Sequence, residues 1–135
     1  PPVPRLAAVA AALAAASFAF GYAAGDRGRA VDFVVRMQGT RAAPAASARI
    51  EVFALDSAGN WPMELSVEGL RPAPGGATYE LWLTRDGRLA RRCGSFRAEP
   101  DGTTQVPMNA PWRLDRFDGW VVVRKGSREP LLVGA

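Results

Sequence analysis

The stretch Ala77–Phe96, ATYELWLTRDGRLARRCGSF, leaves the chain few options. Tyr79, Leu81 and Leu83 alternate with Glu80, Trp82 and Thr84, which is the period of a β-strand. Asp86-Gly87 follows, a pair that favours the positive φ angles of a two-residue hairpin turn. The chain then returns through Leu89–Phe96. The sequence on either side supplies further strands of the same kind.

Ala30–Gly39 reads as a first strand. In Ala48–Leu55, Ile50, Val52 and Ala54 fall on one face and Glu51 on the other. Asp56–Asn60 is a cluster of turn residues. Trp61, Met63, Leu65 and Val67 then alternate with Glu64 and Ser66, so Trp61–Val67 is expected to pair with Ala48–Leu55. Gly69–Gly76 carries Pro72, Pro74, Gly75 and Gly76 and must be a loop. Beyond the hairpin, Glu99-Pro100-Asp101-Gly102 is a turn. Thr103–Met108 is a short strand, with Pro107 marking an edge or an end. Asn109–Phe117 reads as an irregular connection packed on the core, Trp120–Val123 as the most β-prone run, and Leu131–Val133 as a final short strand. About seven or eight short strands, turn signals every ~8–12 residues and no helix after residue 30 predict an all-β fold, an antiparallel immunoglobulin-like β-sandwich.

Ahead of this lies Leu6–Gly25, which carries no charge. A helix of that length rises about 1.5 Å per residue and spans roughly 30 Å, the thickness of a bilayer's hydrocarbon. Alanine fills much of it, so insertion would be marginal. We read it first as a transmembrane helix, with a secretory signal and an Ala-rich soluble helix as the alternatives. Arg5 on one side and Arg27 and Arg29 on the other set no orientation. The expected organisation is a linker or cytoplasmic end at 1–5, the span at 6–25, a juxtamembrane strand and stalk at 26–47, and the β-domain at 48–135, or from near 30 if the first strand is counted with it. The Pro-rich opening Pro1–Arg5 reads as a linker from a further upstream domain.

Composition removes several functions. Net charge is +4, but the basic residues are interspersed with acids and laced with no aromatics, so nucleic acid is not an expected partner. There is no histidine, the commonest general base and metal ligand. Cys93 is the only cysteine. Beside Arg91 and Arg92 it could be a reactive thiol, but a small strand residue is the preferred reading. Glu64, Glu68 and Glu80 are expected to face solvent. The Asp-Gly pairs at 86–87, 101–102 and 118–119 have hairpin spacing rather than that of a calcium loop. Gly75-Gly76 precedes a strand and no lysine, unlike a phosphate loop. Arg85, Arg88, Arg91 and Arg92 protect a strand edge or meet an anion or lipid headgroup. Trp61, Trp82, Trp112 and Trp120 are expected to pack in the core rather than form a sugar platform. No catalytic, cofactor or metal residues are expected, and the chain is not expected to be an enzyme.

The same stretches resemble the extracytoplasmic C-terminal domain of the anti-sigma-K factor family of bacterial membrane-bound regulators. The resemblance runs from about Ala48 to Val133. It rests on Leu65-x-Val67-x-Gly69-Leu70, Pro72-x-Pro74-x-Gly76, Tyr79-Glu80-Leu81-Trp82-Leu83, Asp86-Gly87, Gly94-x-Phe96, Asp101-Gly102 and Trp120–Val123. Within that set Tyr79, Leu81, Trp82, Leu83, Gly94, Phe96 and Gly102 are the structural motif positions. Arg124–Pro130 departs from the Glu-Pro-x-Gly-Gly stretch that members of the family tend to carry. The resemblance implies a single-pass protein of the cell membrane with its β-domain outside the cytoplasm. It further implies a sigma-binding domain that this chain lacks, and site-specific membrane proteases that release it. The alternative is a secreted or anchored β-sandwich that binds a sugar or peptide.

Overall fold

The computed structural model describes residues 30–135. The span expected at 6–25 lies outside them. Among the described residues no helix is long and apolar enough to cross a membrane. Residues Val31–Ala135 form one compact unit.

Eight strands follow in order: β1 Val31–Gly39, β2 Ser47–Phe53, β3 Trp61–Glu68, β4 Tyr79–Arg85, β5 Arg88–Phe96, β6 Thr103–Ala110, β7 Gly119–Arg124 and β8 Leu132–Gly134. Short 3-10 turns at Pro74–Gly76 and Leu114–Arg116 interrupt the connections. Every pairing is antiparallel, in the order β5-β4-β7-β8-β1-β2-β3-β6. The fold is therefore all-β, as the strand spacing predicts. Hydrogen bonding links all eight strands into one sheet. That sheet curls until it is nearly closed. Its edges, β5 and β6, approach through side chains: a Cβ on Gly94 would lie 3.2 Å from the Met108 sulfur. Pro107 lies on edge strand β6, where its missing N–H costs no ladder bond on the open side.

The β2–β3 pairing is the expected one, with Ile50 opposite Leu65 and Val52 opposite Met63. The hairpin turn also has the expected form, since Asp86 and Gly87 adopt φ of 54° and 73°. Both central residues in the left-handed region define a type I′ turn, whose twist suits flanking strands. Ile50, Val52, Leu65, Val67, Leu81, Leu83, Val122 and Leu132 point inward and are almost fully buried. Each such side chain stabilises the fold by about 1.5–3 kcal/mol relative to exposure.

Two features bear on the sequence-based expectation: β1 falls where a first strand is read at Ala30–Gly39, and β4 departs from its reading. The segment read as a juxtamembrane strand and stalk contains β1, which is paired along its length to β2 and near its end to β8. Its alternation of Val35 and Met37 with Arg36 and Gln38 puts two fully buried side chains in the core, so this strand belongs to the sheet. The loop that follows is also tied down. Gly39 N–H donates to Ala46 O (2.9 Å), Thr40 N–H to Leu131 O (2.9 Å) and Thr40 Oγ1 to Pro130 O (2.6 Å). The second feature is β4. Its outer face, expected to be solvated, buries Glu80 and Thr84, while Val121 and Val123 of adjacent β7 are buried on the same side. Alternation signals one wet face only where nothing covers it.

The connections sort to two ends. The β2–β3 turn, the Asp86-Gly87 turn and the start of β1 share one end. The β1–β2, β3–β4 and β7–β8 loops share the other.

Candidate functional site

The motif positions divide between packing and surface. Tyr79, Leu81, Leu83 and Phe96 are buried in the core. The Tyr79 and Phe96 rings lie 5.7 Å apart, and Gly94 leaves room for Met108. Gly102 stands apart in the β5–β6 turn at φ 89°, where its carbonyl accepts the N–H of Gly69 at 2.9 Å. Trp82 belongs to neither group. It is half-buried on the outer face of β4, whereas Trp61, Trp112 and Trp120 pack against the core as expected.

Around Trp82 the outer face carries a polar network that alternation alone conceals. Glu80, expected in solvent, is buried, and both its oxygens are used. Oε1 accepts Trp82 Nε1 at 3.2 Å and Oε2 accepts Arg92 Nη1 at 2.8 Å. A buried carboxylate needs such partners, because leaving it unpaired costs several kcal/mol, in the range of about 3–5. Thr84 Oγ1 donates to Asp118 Oδ1 at 2.8 Å, and the Asp86 N–H donates to Asp118 Oδ2 at 2.6 Å. These two donors hold the Asp118 carboxyl below the usual carboxylate range, the Thr84 hydroxyl contributing most. Asp118 thus clamps the hairpin turn from a neighbouring connection. A groove of about 770 Å3 runs over this face between Trp82, Arg88, Leu89, Arg128 and Pro130.

The hairpin arginines have separate partners. Arg92 pairs with Glu80, Arg91 lies 5.4 Å from the Trp112 ring centre, and Arg85 lies 4.9 Å from that of Phe117. Arg88 lines the groove. They do not converge on one point, as an anion-binding cluster would require.

A second groove, of about 700 Å3, opens at the end formed by the β1–β2, β3–β4 and β7–β8 loops. The Tyr79 hydroxyl donates to the Arg71 carbonyl at 2.5 Å. Burial pushes that hydroxyl's pKa up, and the Arg124 guanidinium partly opposes this. Sequence reasoning passed over Arg71 and Arg124, since only folding brings the ends of β3 and β7 to the same place.

Cys93 is half-buried on β5, and burial pushes its thiol up to about 12. That direction is opposite to the one a nucleophilic thiolate needs. Folding keeps the thiol neutral, so its contribution to stability is complete below pH ~9 and is lost as pH rises from ~9 to ~12. Alkylation by iodoacetamide at pH 8 should be at least about 100-fold slower in the folded chain than in urea, followed by mass spectrometry. Equal rates in the two states would refute the burial argument. Among the described residues no group of His, Cys, Asp or Glu could hold a metal ion.

A curled antiparallel sheet, motif residues most of which pack or shape the sheet, and two open grooves define an all-β domain whose signature is architectural. The chain belongs to the family described as anti-sigma-K factor rskA, C-terminal, whose model matches residues 6–124. No curated protein and no solved structure matches it. The family match ends at Arg124, so β8 and the loop before it lie beyond the matched region.

Proposed function

We propose that Val31–Ala135 is the extracytoplasmic regulatory domain of a membrane-bound anti-sigma factor. Leu6–Gly25 is its single span, and the folded state of the β-domain controls proteolytic release of a sigma-binding region outside these 135 residues. Family membership supports the anti-sigma role. The observation that carries the gating role is the position of β1. Five residues, Asp26–Ala30, separate the apolar stretch from a strand paired to both β2 and β8. A protease that needs an extended segment next to the membrane would find little free chain while the sheet is intact. Local or global opening would supply it. The domain acts without catalysis of its own, consistent with a chain that has no histidine and a Cys93 thiol held neutral.

The test is a core substitution in the full-length protein within its native membrane. Leu65 is completely buried, and Leu65→Ala should cost about 2–5 kcal/mol. We expect several-fold more cleaved fragment on immunoblots and a matching rise in a sigma-dependent reporter. Unchanged cleavage in a variant shown to be destabilised would remove the gating role.

A second reading, an anchored module that binds a sugar or peptide, is favoured by one observation. Trp82 lies at the surface beside Arg88 on the outer groove rather than in the core.

A further inference from the structure

We propose that the end groove binds a small ligand bearing a carboxylate or phosphate, held by Arg71 and Arg124. The groove is built by three connections that fold against one another. Thr40 bonds the β1–β2 loop to Pro130 and Leu131 of the β7–β8 loop. Gly69 admits the β1–β2 loop so closely that a Cβ there would lie 2.3 Å from the Ala45 oxygen. The walls are therefore set before a ligand arrives, which lowers the ordering cost of binding. Its volume of about 700 Å3 suits a small molecule.

The two arginines are available. Each is exposed, and neither guanidinium makes a hydrogen bond or ion pair within the described chain. Arg71, Tyr79 and Arg124 all line this groove; the Tyr79 hydroxyl donates a hydrogen bond to the Arg71 main-chain carbonyl, and the Arg124 charge acts on the same hydroxyl from β7. Planar guanidinium forks match carboxylate and phosphate oxygens in two-point contacts. Glu129 on the same groove supplies one opposing charge, which favours ligands that also carry a cationic or hydroxyl group. Bound ligand would brace the β7–β8 loop, and with it β8. On the gating reading above, an occupied groove would hold cleavage down by mass action.

The experiment is calorimetric titration of the full chain, purified in detergent micelles, with citrate and separately with inorganic phosphate. We expect saturable binding of at least one, and which one binds assigns the oxyanion. Affinity should fall tenfold or more in both Arg71→Gln and Arg124→Gln, with ligand-free melting unchanged because both side chains are exposed. Arg88→Gln, on the outer groove, should bind as the parent does. Absence of binding by both probes, or undiminished affinity in either variant, overturns the proposal. Calorimetry reads binding alone, so such a result would leave the gating reading standing.

Discussion

A chain that stops at Pro130 should fail to form the eight-stranded sheet. It would lose only Leu131–Ala135, yet those residues include all of β8. In the strand order, β5-β4-β7 lies on one side of β8 and β1-β2-β3-β6 on the other. The three residues Leu132–Gly134 are thus the hydrogen-bonded link between the two halves. Leu132 pairs with Val122 on one side and Gly39 on the other, and its side chain is completely buried. Removing the strand exposes the flanks of β7 and β1 and opens the core along its length. A domain of this size holds only about 5–15 kcal/mol of net stability. Loss of one buried leucine costs about 2–5 kcal/mol, before the ladder bonds and the newly exposed Val35, Met37 and Val122 are counted. The expected result is the absence of a cooperative urea transition by circular dichroism, with collapsed dispersion in amide NMR spectra. Leu132→Ala should retain the fold at a cost of about 2–5 kcal/mol. Val133→Ala should be nearly neutral, because Val133 points outward and is 41% exposed. A cooperative transition of parental midpoint in the truncated chain would show that β8 is not the link between the halves.

Much of this fold is legible in the sequence. Alternation in Trp61–Val67 and Tyr79–Leu83 reports strands because each has one face on the core, and Asp86-Gly87 reports its turn because few residue pairs tolerate two positive φ angles. Three things were hidden. The closure of the sheet depends on β8, a strand too short to carry a pattern and placed between two strands distant in sequence. The burial of Glu80 depends on a covered outer face and on Arg92, twelve positions away across a hairpin with two register shifts. The end groove depends on three loops, distant in sequence, whose residues form no recognisable binding motif. Periodicity records what a strand does with its own two faces. It does not record which strands become neighbours, and both grooves arise from that neighbourhood.

The tight β1–β2 loop leads to the second large effect, a single methyl group at Gly39. Thr40–Ser47 reads as a loop or short stalk from its composition, and Gly39 just before it has almost no free space. A Cβ there would lie 2.0 Å from the Ala43 oxygen and 2.7 Å from the Ala46 oxygen, distances no real side chain occupies. Gly39 is not among the residues with positive φ, so the demand for glycine is one of space and not of backbone conformation. The obstructing atoms are main chain and cannot rotate away. Relief requires the whole loop to shift. That loop is held by Gly39 N–H to Ala46 O and by the two bonds from Thr40 to the β7–β8 connection. At about 1 kcal/mol net per bond, losing all three costs about 3 kcal/mol, and residual strain adds to it. Gly39→Ala should therefore lower stability by about 3 kcal/mol or more, measured by urea unfolding. Gly59→Ala supplies the contrast: a Cβ there meets nothing within 4 Å, so only its φ of 84° is penalised, at about 1–2 kcal/mol. An equal effect at both positions would mean the loop yields freely. A larger effect at Gly39 would make the loop a rigid brace joining β1 to β8, the arrangement on which a gate next to the membrane would depend.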